Sequence, residues 1–173
     1  NEGFKVVEGD SSSGALSELP PSLRASSGDT YESSQTRGNN TEKTFYTATG
    51  EILGYAKSYA NGDGSSRTVF EDSERNWIGD KFSDPARGFE SSYSRVEVIN
   101  EKGETTGFLE KGSNTQYNVD DPTDIISVRS WDYIFDADEI LVSGKETEGL
   151  TTTTYGKDWE IVSVTTDTTQ LPK

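Results

Sequence analysis

The sequence predicts an all-β chain: an antiparallel β-sandwich built from serial hairpins, behind a flexible or partly stranded N-terminal segment. Three observations carry that expectation. The stretch Trp131 to Val164, WDYIFDADEILVSGKETEGLTTTTYGKDWEIVSV, alternates runs of Thr, Val, Ile and aromatics with Asp- and Gly-containing turns. Such side chains fit a pleated, half-buried surface, whereas a helix strains β-branched runs at χ1. A looser copy of the same unit, aromatic or β-branched residues, a polar turn, then apolar residues and glycine, recurs along the chain without a fixed period. Finally, no segment shows helical apolar spacing. The longest candidate, Asp124 to Ser130, is short and β-rich.

Length and composition set the scale. At 173 residues the chain is one domain, or one domain with a tail. Only 29% of residues are hydrophobic, and aromatics at 10% supply much of the area available for burial. A net charge of −15, from 16 basic and 31 acidic residues, repels polyphosphate and anionic surfaces, so no nucleic acid is expected as a partner. Cysteine, histidine and methionine are absent. That removes disulfides, thiol chemistry, the commonest general base and the commonest transition-metal ligand. No apolar run approaches the ~18 residues of a spanning helix, so no membrane insertion is expected. The first residues show no signal-peptide pattern, which suggests a mature product or an excised part of a longer chain.

In chain order, residues 1–40 form a flexible Ser/Gly-rich segment with a short strand at 4–7, and residues 41–173 form the antiparallel β domain. The Ser-, Gly- and Asn-rich stretch cannot bury enough apolar area to offset its ordering entropy. Hairpin copies follow at Phe45 to Gly54, Val69 to Gly79, Val98 to Gly107, Ile134 to Gly144 and Thr154 to Val162. Polar connectors at Ala60 to Ser65, Asp84 to Gly88 and the acidic Gln116 to Asp124 separate them.

Two kinds of candidate site emerge. Asp120, Asp121 and Asp124, near Asn118, and the alternating Asp136 and Asp138 offer oxygen ligands in tight turns, which suits Ca²⁺ with its six to eight contacts. The alternative is ordinary solvated turn residues in an acidic chain. Trp77, Tyr59 and Tyr117 are the candidate ligand-binding rings for stacking a sugar or gripping a peptide, with Trp131, Trp159, Tyr55 and Tyr93 as further aromatics; the alternative for all of them is core. With 31 acidic residues no carboxylate pair is singled out for catalysis, so no enzyme is expected.

The residues FYTATGEILGYAKSYANGDGSS and the closing TTTTYGKDWEIVSVTTDT resemble β-rich modules of large RTX-type, calcium-dependent bacterial surface adhesins, over roughly residues 44 to 169. Thr47 and Glu71 stand where that pattern would carry aspartate, and DADE lacks the following glycine. The resemblance implies a non-enzymatic extracellular or cell-surface module, structural or ligand-binding and calcium-stabilised. Its partners would be neighbouring modules of the same polypeptide, with a surface glycan or peptide as ligand. The alternative is a stand-alone carbohydrate- or peptide-binding protein.

Overall fold

The computed structural model describes residues 5–7, 21–23, 25, 28 and 30–167. Among them there are twelve strands and no α-helix. The all-β, antiparallel class of serial hairpins is what the sequence predicts. The chain divides into two compact units, residues 1–82 and 83–173. Within each, strands pair with their sequence neighbours in one hydrogen-bonded sheet.

The first unit holds β1 (Lys5–Val7), β2 (Thr30–Arg37), β3 (Asn40–Tyr46), β4 (Ile52–Ala60), β5 (Ser66–Asp72) and the start of β6 (Trp77–Asp84). The expected strand at 4–7 is present as β1, paired with β2. β2 itself corrects the expected boundary at residue 41: Thr30–Arg37 has Tyr31 as its one aromatic or aliphatic side chain, but pairs with β3 from Tyr31 to Arg37. Pairing of backbone groups stabilises a strand that composition alone would leave unassigned. Residues 8–20 of the expected flexible segment lie outside the described residues.

The core of this unit is small. Phe45, Ala56, Phe70 and Ile78 are buried beneath Leu23, which sits on the short 3₁₀ turn Pro21–Leu23 and is 0% exposed. Phe45 stands directly opposite Gly54. A Cβ at Gly54 would overlap the Glu71 carbonyl oxygen and the Leu23 Cδ2. Glycine here lets the leucine reach the sheet.

The second unit holds β7 (Phe89–Ile99), β8 (Thr105–Asn118), β9 (Asp121–Asp136), β10 (Leu141–Glu148), β11 (Thr151–Tyr155) and β12 (Ile161–Thr166). β8 and β9 form a long arm joined only by Val119 and Asp120. The acidic stretch 116–124, expected as a connector, is therefore mostly strand.

One turn design recurs. At Thr47–Glu51, Asn61–Ser65, Asp72–Asn76, Asn100–Glu104 and Asp136–Ile140, the first residue's N–H donates to the fifth residue's carbonyl. The fourth residue's N–H in turn donates to the first residue's carbonyl. The fourth position has positive φ in all five: Gly50, Gly64, Arg75, Gly103 and Glu139. This is a type I turn closed by a bulge residue in the left-handed region, which favours glycine. In four of the five the first residue's side chain caps the turn, as Thr47 Oγ1 does for Glu51 N–H; in the turn that begins at Asn61 the cap is Asp63, whose Oδ1 accepts from Ser65 N–H. Asp72 Oδ1 accepts from Glu74 and Asn76 N–H, Asn100 Oδ1 from Lys102 and Glu104, and Asp136 Oδ1 from Asp138 and Ile140. The capping residue of the third turn is thus Asp72 rather than Glu71, one position later than the sequence comparison suggests.

A second regularity explains how so polar a chain packs. Ser92, Ser113, Ser130, Thr147, Thr152 and Thr165 stand opposite one another in one row across β7 to β12. Ser92 and Ser113 share a 2.9 Å hydrogen bond, and Thr147 and Thr152 one of 3.0 Å. The first unit has its own row, Thr36, Thr41, Ser58 and Thr68, bonded at 3.2 and 2.9 Å. Cross-strand hydroxyl pairs take the place of apolar pairs, at roughly 0.2–1 kcal/mol each.

Candidate functional site

The predicted cation ligands fall in two turns. Asp120 donates its N–H to Asn118 Oδ1 at 3.1 Å, and Asn118 Nδ2 donates to Asp124 Oδ2 at 3.2 Å. Asp121 Oδ1 accepts from Thr123 N–H at 3.0 Å and from its hydroxyl at 2.6 Å. Those two bonds hold the Asp121 carboxyl below the usual carboxylate range, the hydroxyl contributing most. Asp136 caps its own turn as described, while Asp138 supplies a backbone donor to it. Among the described residues no group of three or more acidic side chains is arranged to hold a metal ion. Asp120, Asp121 and Asp124 thus lie in one turn and Asp136 and Asp138 in another, and turn closure engages Oδ1 of Asp121 and Oδ1 of Asp136.

The predicted rings separate as well. Tyr117 is buried, within the second unit. Tyr59 and Trp77, in the first, are both more than a third exposed. Tyr55, on the same unit, is covered: the Arg75 guanidinium lies 3.2 Å from its ring centroid and bonds Glu42 at 2.9 Å and Glu71 at 3.3 Å.

The structure instead assembles an aromatic group in the second unit. β9 places Tyr133 and Phe135 on one face, two residues apart, and β11 adds Tyr155. Trp159, from the turn between β11 and β12, packs against all three, edge-on at 5.0 Å to Tyr133, 5.6 Å to Tyr155 and 6.3 Å to Phe135. Such T-shaped contacts each add about 0.5–1.5 kcal/mol beyond area burial. Tyr133 is buried while Trp159 remains 50% exposed. Gly144 makes room: a Cβ there would meet the Tyr133 ring at 2.5 Å.

A polar pair lies at the edge of this group. Glu146 Oε2 accepts from the Tyr133 hydroxyl at 2.9 Å, and Oε1 accepts from Arg129 Nε at 2.7 Å. Burial pushes the Tyr133 phenol well above its ordinary range, and the bond to Glu146 adds to this. For Glu146 burial opposes ionisation, but the bonds from Arg129 and Tyr133 outweigh it and hold the carboxyl below its ordinary range.

Trp159 and its neighbour Asp158 both have positive φ, 66° and 54°. For a bulky residue that conformation is uncommon and costs of order 1–3 kcal/mol, and it persists only where the surroundings enforce it. Here the three flanking rings do so. The group has the chemistry of a stacking surface: a half-exposed indole on a rigid aromatic floor, with a carboxylate and a guanidinium beside it. The sequence named Trp159 among the aromatics but could not rank it above Trp77, because its ring neighbours come from two other elements, β9 and β11.

Compared with models of protein families, with curated proteins and with solved structures, this chain matches none.

Proposed function

We propose that the chain is a non-enzymatic module of an extracellular bacterial surface adhesin of the RTX type, a scaffold built of serial hairpins that carries a ligand-binding face around Trp159. The observation that carries the scaffold half is the turn repeated five times with the same backbone hydrogen bonds, capped in four of the five by the first residue's side chain. Such a design extends by adding hairpins without requiring a large core. The resemblance of residues 44 to 169 to adhesin modules supplies the setting, and neighbouring modules of the same polypeptide would be its first partners. The half-exposed indole supports the ligand half, with a surface glycan as the ligand; sugars stack on such rings through their apolar faces.

Tryptophan fluorescence of the intact chain, titrated with a panel of soluble oligosaccharides, tests this. A saturable change lost in Trp159→Ala and kept in Trp77→Ala supports the binding face. A panel without any such change removes the ligand half and leaves the scaffold.

A further inference from the structure

Trp131 shares the face of the aromatic group. β9 pairs with β8 without a break from Ser130 to Asp136, so Trp131, Tyr133 and Phe135 project to one side at steps of about 6.6–6.8 Å. In the register Trp131 stands between Gly112 of β8 and Glu146 of β10. Its ring leans over the glycine, where a Cβ would overlap the indole. Tyr133 leans the other way, over Gly144 of β10, and Trp159 packs against it there. The two indoles therefore sit on opposite sides of β9, about 10 Å apart by strand spacing, which is farther than one sugar ring reaches.

With one side of the indole laid on the β8 backbone, its other side faces away from the sheet, and Trp131 stays partly exposed. The Arg129 guanidinium does not close over it. Arg129 lies 5.8 Å from the ring centroid, tied by its Nε to Glu146 Oε1 at 2.7 Å, whereas Arg75 covers Tyr55 at 3.2 Å. Glu146 also accepts from the Tyr133 hydroxyl at 2.9 Å, so the ion pair touches the supports of both indoles. That pair has no net charge, and its remaining N–H groups and lone pairs suit neutral hydroxyls. An anionic sugar meets a guanidinium already paired, in a chain of net charge −15 that repels it. We propose, building on the glycan reading of Trp159, that Trp131 is a second stacking platform and that the ligand is a linear, neutral oligosaccharide long enough to reach both indoles.

Calorimetry of the intact chain with cellobiose to cellohexaose and with chitobiose to chitohexaose tests this, with hexameric oligogalacturonate as the anionic control. In one neutral series the hexamer should bind on the order of tenfold more tightly than the dimer, the gain from one added stacking contact. Trp131→Ala should remove that gain and keep dimer binding, which also shows the variant to be folded. Trp131→Phe, which keeps a ring, should retain part of the gain, and Trp159→Ala should weaken every length. Gly112→Ala, whose methyl displaces the indole, should lose the gain as Trp131→Ala does. Equal affinity for dimer and hexamer, a length gain that survives Trp131→Ala, or oligogalacturonate binding as tight as the neutral hexamer would overturn the proposal and leave the glycan reading of Trp159 standing. No binding at any length in either neutral series would overturn both.

Discussion

Leu23→Ala is the substitution that best tests how the first unit is held together. Leu23 is fully buried over Phe45, Ala56, Phe70 and Ile78, and these five residues are the unit's buried cluster. Removing a buried leucine costs about 2–5 kcal/mol, through lost transfer energy and the cavity left behind. Leu23 lies on a short turn that can settle toward the sheet, so the lower half of that range applies, about 2–3 kcal/mol. If the first unit melts by itself, at roughly 4–8 °C per kcal/mol for a domain of its size, its transition should fall by about 10–20 °C. If the chain melts as one, the larger unfolding entropy reduces this to about 5–10 °C. Calorimetry reads the shift, and amide exchange should quicken in β3, β4 and β5, the strands Leu23 covers. Gly54→Ala supplies the cross-check. Its added methyl would meet both Leu23 and the Glu71 carbonyl oxygen, so the Leu23→Ala background should relieve only part of its cost, and the double-mutant cycle should show coupling. A loss below about 1 kcal/mol with unchanged exchange would show that residues 21–23 merely lie on the surface, and the packing argument would fail.

Three other expectations follow from the turns and charges. Asp136→Ala removes the acceptor for two turn N–H groups and should cost about 1 kcal/mol by chemical denaturation, whereas Asp136→Asn keeps the acceptor oxygen and should cost less than half as much. Glu146 is depressed in the folded state, so its contribution is present above the ordinary carboxylate pKa and is lost as pH falls through the folded value. Arg129→Gln should therefore flatten the acid limb of stability against pH and leave its slope near neutrality unchanged; an unaltered acid limb would refute this. Asp121 and Asp136 already engage a carboxylate oxygen in turn closure, so calcium should raise the melting temperature no more than NaCl at equal ionic strength. A calcium-specific rise that Asp121→Asn or Asp136→Asn abolishes would establish the expected site.

Much of the fold was legible in the residues, because strand and turn chemistry are local. The β-branched and aromatic runs, with Asn, Asp and Gly between them, placed the hairpins around Thr47, Asp136 and Gly156 without reference to distant contacts. The strand β1 was also within reach. β2 was not, since Thr30–Arg37 is a strand only because β3 offers it a matching row of backbone groups. The acidic stretch at 116–124 likewise has turn composition, yet pairing carries the long β8–β9 arm through most of it.

For the candidate sites the balance reverses. Clusters of aspartate along the chain suggested a cation site, but a carboxylate capping its own turn and one aimed at an ion have the same sequence signature. Only the positions of the N–H groups distinguish them. Exposure could not be read either: Tyr117 is buried and Trp77 half-exposed, although both sit in similar polar surroundings in sequence. The group formed by Tyr133, Phe135, Tyr155 and Trp159 depends on the β9–β10–β11 register and on a glycine at 144 that leaves space for a ring. Register is a property of paired strands, so the chain by itself determined most of the strands and turns, while pairing decided β2, the end of the β8–β9 arm and which side chains meet.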